Sequence, residues 1–168
     1  TTESECVIDV PELLRVITKE ATALASEDQM RIKLECQEGL NMRGDMVEMR
    51  SAFSNLIFNA VHYTPAGGEI EINWCLDGKN ALFSVSDNGD GIAAEHLARL
   101  TERFYRVDKA RSRKTGGSGL GLAIVKHVLS HHGSELKIKS SLTVGSTFSF
   151  KIPKERLVVN KQAVIKSS

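Results

Sequence analysis

The sequence is short of cysteine, of net charge and of long apolar runs, and each shortage removes a class of protein. Its three cysteines, Cys6, Cys36 and Cys75, are far apart and form no CxxC pair. A zinc ribbon or redox dithiol therefore has no ligands, and the thiols read as small core-type residues in a reducing cytosol. Lys plus Arg (22) and Asp plus Glu (21) nearly cancel, giving a net charge of +1. No whole-molecule attraction to nucleic acid or anionic lipid follows. No apolar run approaches the ~18 residues of a membrane span. The opening Thr1-Thr2-Glu3-Ser4-Glu5 is polar and acidic, unlike a signal peptide, and the absence of a starting Met reads as a processed chain or excised fragment. No internal repeat or low-complexity tract is present. What is present is 168 residues, 41% apolar and 26% charged. That suits one domain burying roughly 70% of its unfolded surface without disulfides.

Periodicity organises the chain. Val10 to Ala25 reads as a helix, with Pro11 in its first turn and Leu13, Leu14, Ile17, Ala21, Leu24 and Ala25 at helical spacing. Arg31 to Gln37 alternates as a strand. Asp45 can cap a second helix that runs to about Tyr63, before Thr64-Pro65. Glu69 to Leu76 and Ala81 to Ser86 alternate on either side of the turn Asp77-Gly78-Lys79-Asn80. A short helix near Ala94 to Leu100, an aperiodic stretch from Thr101 to Ser118, and a helix from Gly119 to His132 follow. Leu136 to Ser140 and Thr147 to Ile152 form a last strand pair. Tight turns between adjacent strands imply mostly antiparallel pairing, with helices on one face: an α+β two-layer sandwich on a mixed, mostly antiparallel sheet. Residues 10–153 carry this pattern and form the domain, residues 1–9 precede it, and 154–168 read as a flexible tail.

In the second helix, Met49, Phe53, Leu56, Ile57 and Ala60 fall on one arc, the core face. Asn55 and Asn59, four apart, share a neighbouring stripe with His62, and Tyr63 lies between that stripe and the core arc. Two readings stand. The amides face water, or their oxygens ligate a hard cation such as magnesium.

The strand from Ala81 runs into Asp87-Asn88-Gly89-Asp90-Gly91-Ile92. These are turn residues. Gly89 to Ala94 also fits GxGxxA, but no strand follows to complete a dinucleotide-binding βαβ unit. A third reading is a carboxylate at a strand end, with glycines that let a flat ligand approach the backbone. Asp87 would then accept a hydrogen bond from an exocyclic amine such as adenine's, whereas guanine would present a carbonyl oxygen there.

Arg103 to Lys114 carries Arg103, Arg106, Lys109, Arg111, Arg113 and Lys114 against a single Asp108. Gly116 to Leu122 then opens directly into a helix, where exposed N–H groups and the positive dipole end suit an anion. Arg113 before Lys114-Thr115 excludes a P-loop, and Leu122 at the third glycine position excludes a Rossmann turn from Gly117. A solvated linker and a mobile lid over a polyphosphate both remain. His127, His131 and His132 lack the third ligand of a zinc site and read as helix C-terminal residues favoured in a partly protonated form.

Together these segments resemble bacterial sensor histidine kinases. Asn55 to Pro65 resembles their N box and Asp87 to Ile92 their G1 box. Arg103-Phe104-Tyr105-Arg106 is similar to the F box, and Gly117-Ser118-Gly119-Leu120-Gly121-Leu122 to the G2 box. Gly145-Ser146-Thr147-Phe148 resembles the closing strand motif. The stretch from Leu100 to Arg113 is closest to phosphate-regulon sensor kinases. The resemblance implies the Bergerat ATP-binding fold, with ATP and Mg2+ as cofactors. It implies that Asn59 ligates magnesium and Asn55 supports metal and phosphates. Tyr63 borders the adenine, Asp87 binds its amine, and Thr147 holds Asp87 through water. Gly89, Gly91 and Ile92 belong to the adenine side. Phe104, Tyr105, Arg106 and Lys109 belong to the lid, and the G2 residues cradle the phosphates. His62 stands where many relatives have Lys.

Gyrase-type, chaperone and mismatch-repair ATPases of this fold carry a water-activating Glu where this chain has Asn55. A carboxamide is no general base near pH 7, so slow hydrolysis is expected. None of the five histidines has the context of a phosphoacceptor. The resemblance therefore implies a catalytic domain that does not autophosphorylate alone, with residues 1–9 the remnant of a linker from a preceding helical domain. Its partners are a separate helical dimerisation and phosphoacceptor domain and a response regulator receiver domain, without nucleic acid. The fragment is expected to be monomeric and the full protein a homodimer, with this part on the cytoplasmic side of an inner-membrane sensor. An ATP-binding module or slow ATPase of the same fold is the alternative.

Overall fold

A computed structural model describes residues 4–92, 96 and 121–160. Its main layer is a five-stranded sheet in the order β2-β4-β5-β7-β6, formed by β2 (Arg31–Cys36), β4 (Glu69–Asp77), β5 (Asn80–Asp87), β6 (Lys137–Ser141) and β7 (Gly145–Ile152). β2 pairs parallel to β4, and the other three pairings are antiparallel. Three helices, α1 (Val10–Ala25), α2 (Met46–Tyr63) and α3 (Gly121–His131), form the second layer, with α2 packed between α1 and α3. This is the two-layer architecture that the strand and helix patterns predict.

Both long helices start where the caps place them. Asp9 accepts the Glu12 amide and Asp45 accepts the Glu48 amide, at 3.2 and 3.0 Å. The predicted apolar arcs are buried, except that Leu24 at the end of α1 is exposed. Alternation holds on the sheet too: Ile70, Ile72, Trp74, Ala81, Phe83, Val85, Phe148, Phe150 and Ile152 all lie buried towards the helices. Phe53 of α2 meets this surface at its centre. Its ring lies edge-on to Trp74 and Phe83, at centroid distances of 6.1 and 4.9 Å, and tilted against Phe150 at 5.6 Å.

A second, small sheet departs from the sequence reading. β1 (Glu5–Ile8), β3 (Leu40–Asp45) and β8 (Leu157–Val159) pair antiparallel with β3 in the middle. The linker remnant therefore contributes a strand, and residues 154–159 of the expected loose tail are ordered into a 3-10 turn and β8. Strands of three and four residues are too short to show a period, and their partners are distant, Glu5 opposite Asp45 and Leu40 opposite Val159. Arg156 ties this corner together: it pairs with Glu5 and donates to the Arg43 carbonyl at 3.1 Å. The Trp74 indole N–H donates to the Leu40 carbonyl at 2.8 Å, which links the two sheets.

The cysteines divide: Cys36, half-buried on edge strand β2, packs against the core with Ile32 and Leu34, whereas Cys6 and Cys75 are exposed and are not core residues. The histidine reading also changes. His132 is buried, accepts the Asp45 amide at Nε2 (3.1 Å) and therefore donates from Nδ1 to the Val128 carbonyl (2.8 Å). That pairing sets the Nδ1–H tautomer and ties the ring to β3 and to the last turn of α3. The predicted helix near Ala94 to Leu100 and the stretch from Thr101 to Ser118 lie outside the described residues.

Removing the central ring tests the core. Phe53→Ala is expected to destabilise the domain by about 3–5 kcal/mol in urea titration. A loss under about 1 kcal/mol would show that the layers do not depend on this contact. The cap on α2 carries a pH signature. The Glu48 amide, then the Ser4 side chain and the Val47 amide, hold the Asp45 carboxyl below its ordinary value. A lowered carboxylate stabilises the fold above its unfolded pKa, and the contribution disappears as pH falls through the folded one. Asp45→Asn keeps a capping oxygen but does not titrate. Thermal melts should place the native chain above Asp45→Asn at neutral pH, with the difference shrinking as the native chain falls more steeply below about pH 4. Parallel acid limbs would rule out that contribution.

Candidate functional site

The inward face of the sheet changes character at one end. The row Ile138–Phe148–Val85–Ile72, read across β6, β7, β5 and β4, is apolar. The neighbouring row is Ser140–Ser146–Asp87, followed by Ile70. Three polar side chains thus stand at the sheet end that faces the last turns of α2, where a continuous core would have carried apolar ones.

Asp87 ends β5, the central strand. One carboxylate oxygen accepts the Gly89 amide at 2.9 Å, which fixes the turn and the carboxylate. Gly89 lies against α2: a Cβ there would sit 3.1 Å from the Tyr63 carbonyl oxygen. The G1 turn and the end of the N-box helix are therefore in direct contact. Asn88 fastens the same turn to β4 by accepting the Glu69 amide at 2.8 Å.

The β6–β7 hairpin supports the other side of the turn. The Ile92 amide donates to Ser140 Oγ at 2.7 Å, and the Thr143 amide to the Asp90 carbonyl at 2.7 Å. Gly91 has φ +76, and a Cβ on it would meet the Ser141 carbonyl oxygen at 2.1 Å. Only glycine satisfies both constraints.

On α2, the Asn55 amide nitrogen donates to the Ser51 carbonyl (2.8 Å) and Ser51 Oγ (3.2 Å). A carbonyl partner requires the nitrogen end of the carboxamide, so the assignment is unambiguous. The Asn55 oxygen therefore points to the start of α3, where a Cβ on Gly121 would lie 2.8 Å from it. Asn59 is half-buried one turn further on, and His62 and Tyr63 are half-buried with their rings edge-on at 4.9 Å. The stripe read from the sequence thus borders the Asp87 turn on one side and the α3 N-terminus on the other. Ile92 and Leu122 are buried beside it. Two carboxamides of this kind are suitable oxygen donors for a hard, water-rich cation. Among the described residues no His, Cys, Asp and Glu cluster could hold a metal. Phe104, Tyr105, Arg106, Lys109, Gly117, Ser118, Gly119 and Leu120 lie outside the described residues.

One expected role does not fit. Thr147 pairs with Ser86 on the opposite, open face of the sheet and bonds its hydroxyl at 2.9 Å. Its side chain points away from Asp87. Ser146, buried and paired with Asp87 in register, is the hydroxyl on the correct face. The alternation through Phe148 and Phe150 already carries this signal, since residues two apart share a face. Ser140 and Asn88 were missed because their partners come from other strands, which no local pattern records.

A strand-end carboxylate under a carboxamide-bearing helix, in two layers, is the arrangement of the Bergerat fold. Residues 44–156 match the family described as histidine kinase-, DNA gyrase B- and HSP90-like ATPase, and the chain belongs to that family. The phosphate regulon sensor protein PhoR of Pseudomonas aeruginosa is 51% identical over 142 residues, 84% of this chain and 32% of that protein. PhoR of Haemophilus influenzae is 44% identical over 153 residues, 91% of this chain and 36% of that protein. The chain thus spans 32–36% of the length of these relatives. Among solved structures, a mycobacterial sensor histidine kinase, MprB, superposes with TM-score 0.76 at 25% identity, covering 89% of this chain and 97% of that one. Full-length ShkA, solved with AMPPNP, superposes with TM-score 0.77 at 27% identity, covering 95% and 32%. Among the described residues, no helix is long and apolar enough to cross a membrane.

Two glycine-to-alanine changes separate backbone cost from collision. Gly78 has φ +64 with nothing within 4 Å of an added Cβ, so Gly78→Ala carries backbone strain alone. Gly91→Ala adds the collision with Ser141 and should lower stability by about 1–3 kcal/mol more in urea titration. Equal losses would show that the G1 turn does not rest on the hairpin.

Proposed function

We propose that this chain is the catalytic and ATP-binding domain, over residues 10–153, of a two-component sensor histidine kinase. It binds ATP with Mg2+ and presents the γ-phosphate to a histidine on a separate helical dimerisation domain, for relay to a response regulator. The observation that carries this reading is Asp87: a carboxylate fixed by the Gly89 amide and set against the end of the helix that bears Asn55 and Asn59. In this reading Asp87 accepts the adenine exocyclic amine, with Ser146 in the supporting role that its face allows. Tyr63 borders the base. The oxygens of Asn59 and Asn55 would hold the metal, which supplies charge neutralisation on the phosphates. Arg106, Lys109 and the G2 glycines complete the phosphate side. His62, a weaker phosphate donor than lysine, sits at the margin.

Asn55 also bears on the reaction class. Its nitrogen is engaged with Ser51 and a carboxamide oxygen is not a base near neutral pH, so it does not abstract a proton from water as a carboxylate would. Transfer to an external nucleophile depends on positioning and charge stabilisation, which this arrangement supplies without a base. The likeness to phosphate regulon sensor proteins supports a role in phosphate signalling, and in this reading the domain belongs to the cytoplasmic side of a membrane sensor.

Calorimetric titration with Mg-ATP, Mg-ADP and Mg-GTP tests the site. Adenine nucleotides should bind and Mg-GTP should not compete. Asp87→Asn should weaken Mg-ADP by at least about tenfold. Radiolabel from γ-labelled ATP should appear only on an added helical domain carrying the acceptor histidine. Steady phosphate release from this chain alone would favour an ATPase and overturn the kinase reading.

A further inference from the structure

The polar row beside the candidate site has its far member on the edge strand, two strands from Asp87. This is Ser140 of β6, half-buried on the inward face. Its single hydroxyl meets three groups. It accepts the Ile92 amide at 2.7 Å, lies 2.7 Å from Ser146 Oγ, and lies 3.1 Å from the Gly145 carbonyl oxygen. A serine hydroxyl has one proton and two lone pairs. The Ile92 amide takes a lone pair, so the proton goes either to Gly145 or to Ser146.

The choice has a consequence at Asp87. If Ser140 donates to Gly145, then Ser146 donates back to Ser140 and turns only lone pairs towards its neighbours. If Ser140 donates to Ser146, the Ser146 proton is released towards the side where Asp87 pairs with it in register. A carboxylate beside a buried hydroxyl favours the second arrangement, because two acceptors facing each other in a low-dielectric site are costly. The 2.7 Å contact is also the shorter of the two.

From this we infer that Ser140 is a positioning residue for purine selection. By donating to Ser146 it anchors that hydroxyl in one rotamer beside Asp87, and through the Ile92 amide it holds the G1 turn, so that carboxylate surroundings and turn geometry are set by one hydroxyl. The inference rests on the reading of Asp87 as the group that contacts the purine. It goes further by assigning selectivity to a residue outside the site. Ser140→Thr keeps the hydroxyl on a β-branched side chain that suits a strand. Ser140→Ala removes it.

The test is the ratio of Mg-ADP to Mg-GDP affinity, by calorimetry, in the native chain, Ser140→Ala, Ser140→Thr and Asp87→Asn, with amide exchange at Ile92 followed in parallel. Ser140→Ala should lower the ratio by about tenfold and speed Ile92 exchange, while Ser140→Thr should stay within about twofold of the native chain. If Ser140→Ala does not fold, Ser140→Cys, nearly the same shape but a weak donor, is measured against Ser140→Thr with the same expectation. A purely structural role would weaken both nucleotides equally and leave the ratio unchanged, and that result overturns the inference. If Ser140→Ala leaves the ratio intact while Asp87→Asn collapses it, the inference fails and the reading of Asp87 survives. If Asp87→Asn keeps the ratio, both fail.

Discussion

Phe53 decides where the candidate site is. Its ring touches residues from three central strands, Trp74 on β4, Phe83 on β5 and Phe150 on β7. A helix laid on a flat apolar sheet can slide or roll with little penalty. A ring inserted among three others cannot, because edge-on contacts weaken quickly with displacement and interiors are close-packed. With Phe53 fixed, the helix period places Asn55 and Asn59 on the adjoining stripe and brings Tyr63 over the Gly89 turn. The polar stripe inherits its position from the apolar one.

The Asp87 turn shows how the domain keeps polar groups at the edge of its core. Moving one row along the sheet replaces apolar side chains by Ser140, Ser146 and Asp87. Each needs a partner at that depth. Backbone amides of the G1 turn provide them: Gly89 for Asp87, Ile92 for Ser140. The glycine at 91 lets that turn lie directly on the hairpin. The turn is thus supported from β4 through Asn88 and from β6 through Ser140, so its geometry belongs to the sheet and not to the loop sequence. A site built this way is preorganised, and a bound ring meets acceptors already oriented.

How much of this was legible follows from the range of each interaction. Helix periods, caps and the alternation of the long strands are local, and α1, α2, β4, β5 and β7 were readable from them. So was the Asn55–Asn59–His62 stripe, because it is one helix. β1 and β8 were not, since three or four residues carry no period and their stability comes from β3 and from Arg156, far away in sequence. The choice of Thr147 over Ser146 is a different kind of error. Alternation from Phe148 and Phe150 fixes Ser146 inward, but motif matching by position ignored the face. His132 differs for a similar reason: its place after a helix suggested a helix-terminal role, whereas the ring is buried and accepts a long-range amide from Asp45.

The same distinction bears on what the fold does with its nucleotide. Asn55 occupies a position that in related ATPases of this fold holds a carboxylate, yet it is not an idle substitution. Its nitrogen is committed to Ser51 and its oxygen faces Gly121, the first described residue of α3. A glutamate there would bring a negative charge to a helix start that suits the phosphates, and would compete with them for its N–H groups. A neutral carboxamide orders the junction of α2 and α3 without that competition. In the proposed reading, the feature that withholds a base from water is also the one that leaves the anion side of the site without a competing charge, and retention of an intact triphosphate would follow from both effects.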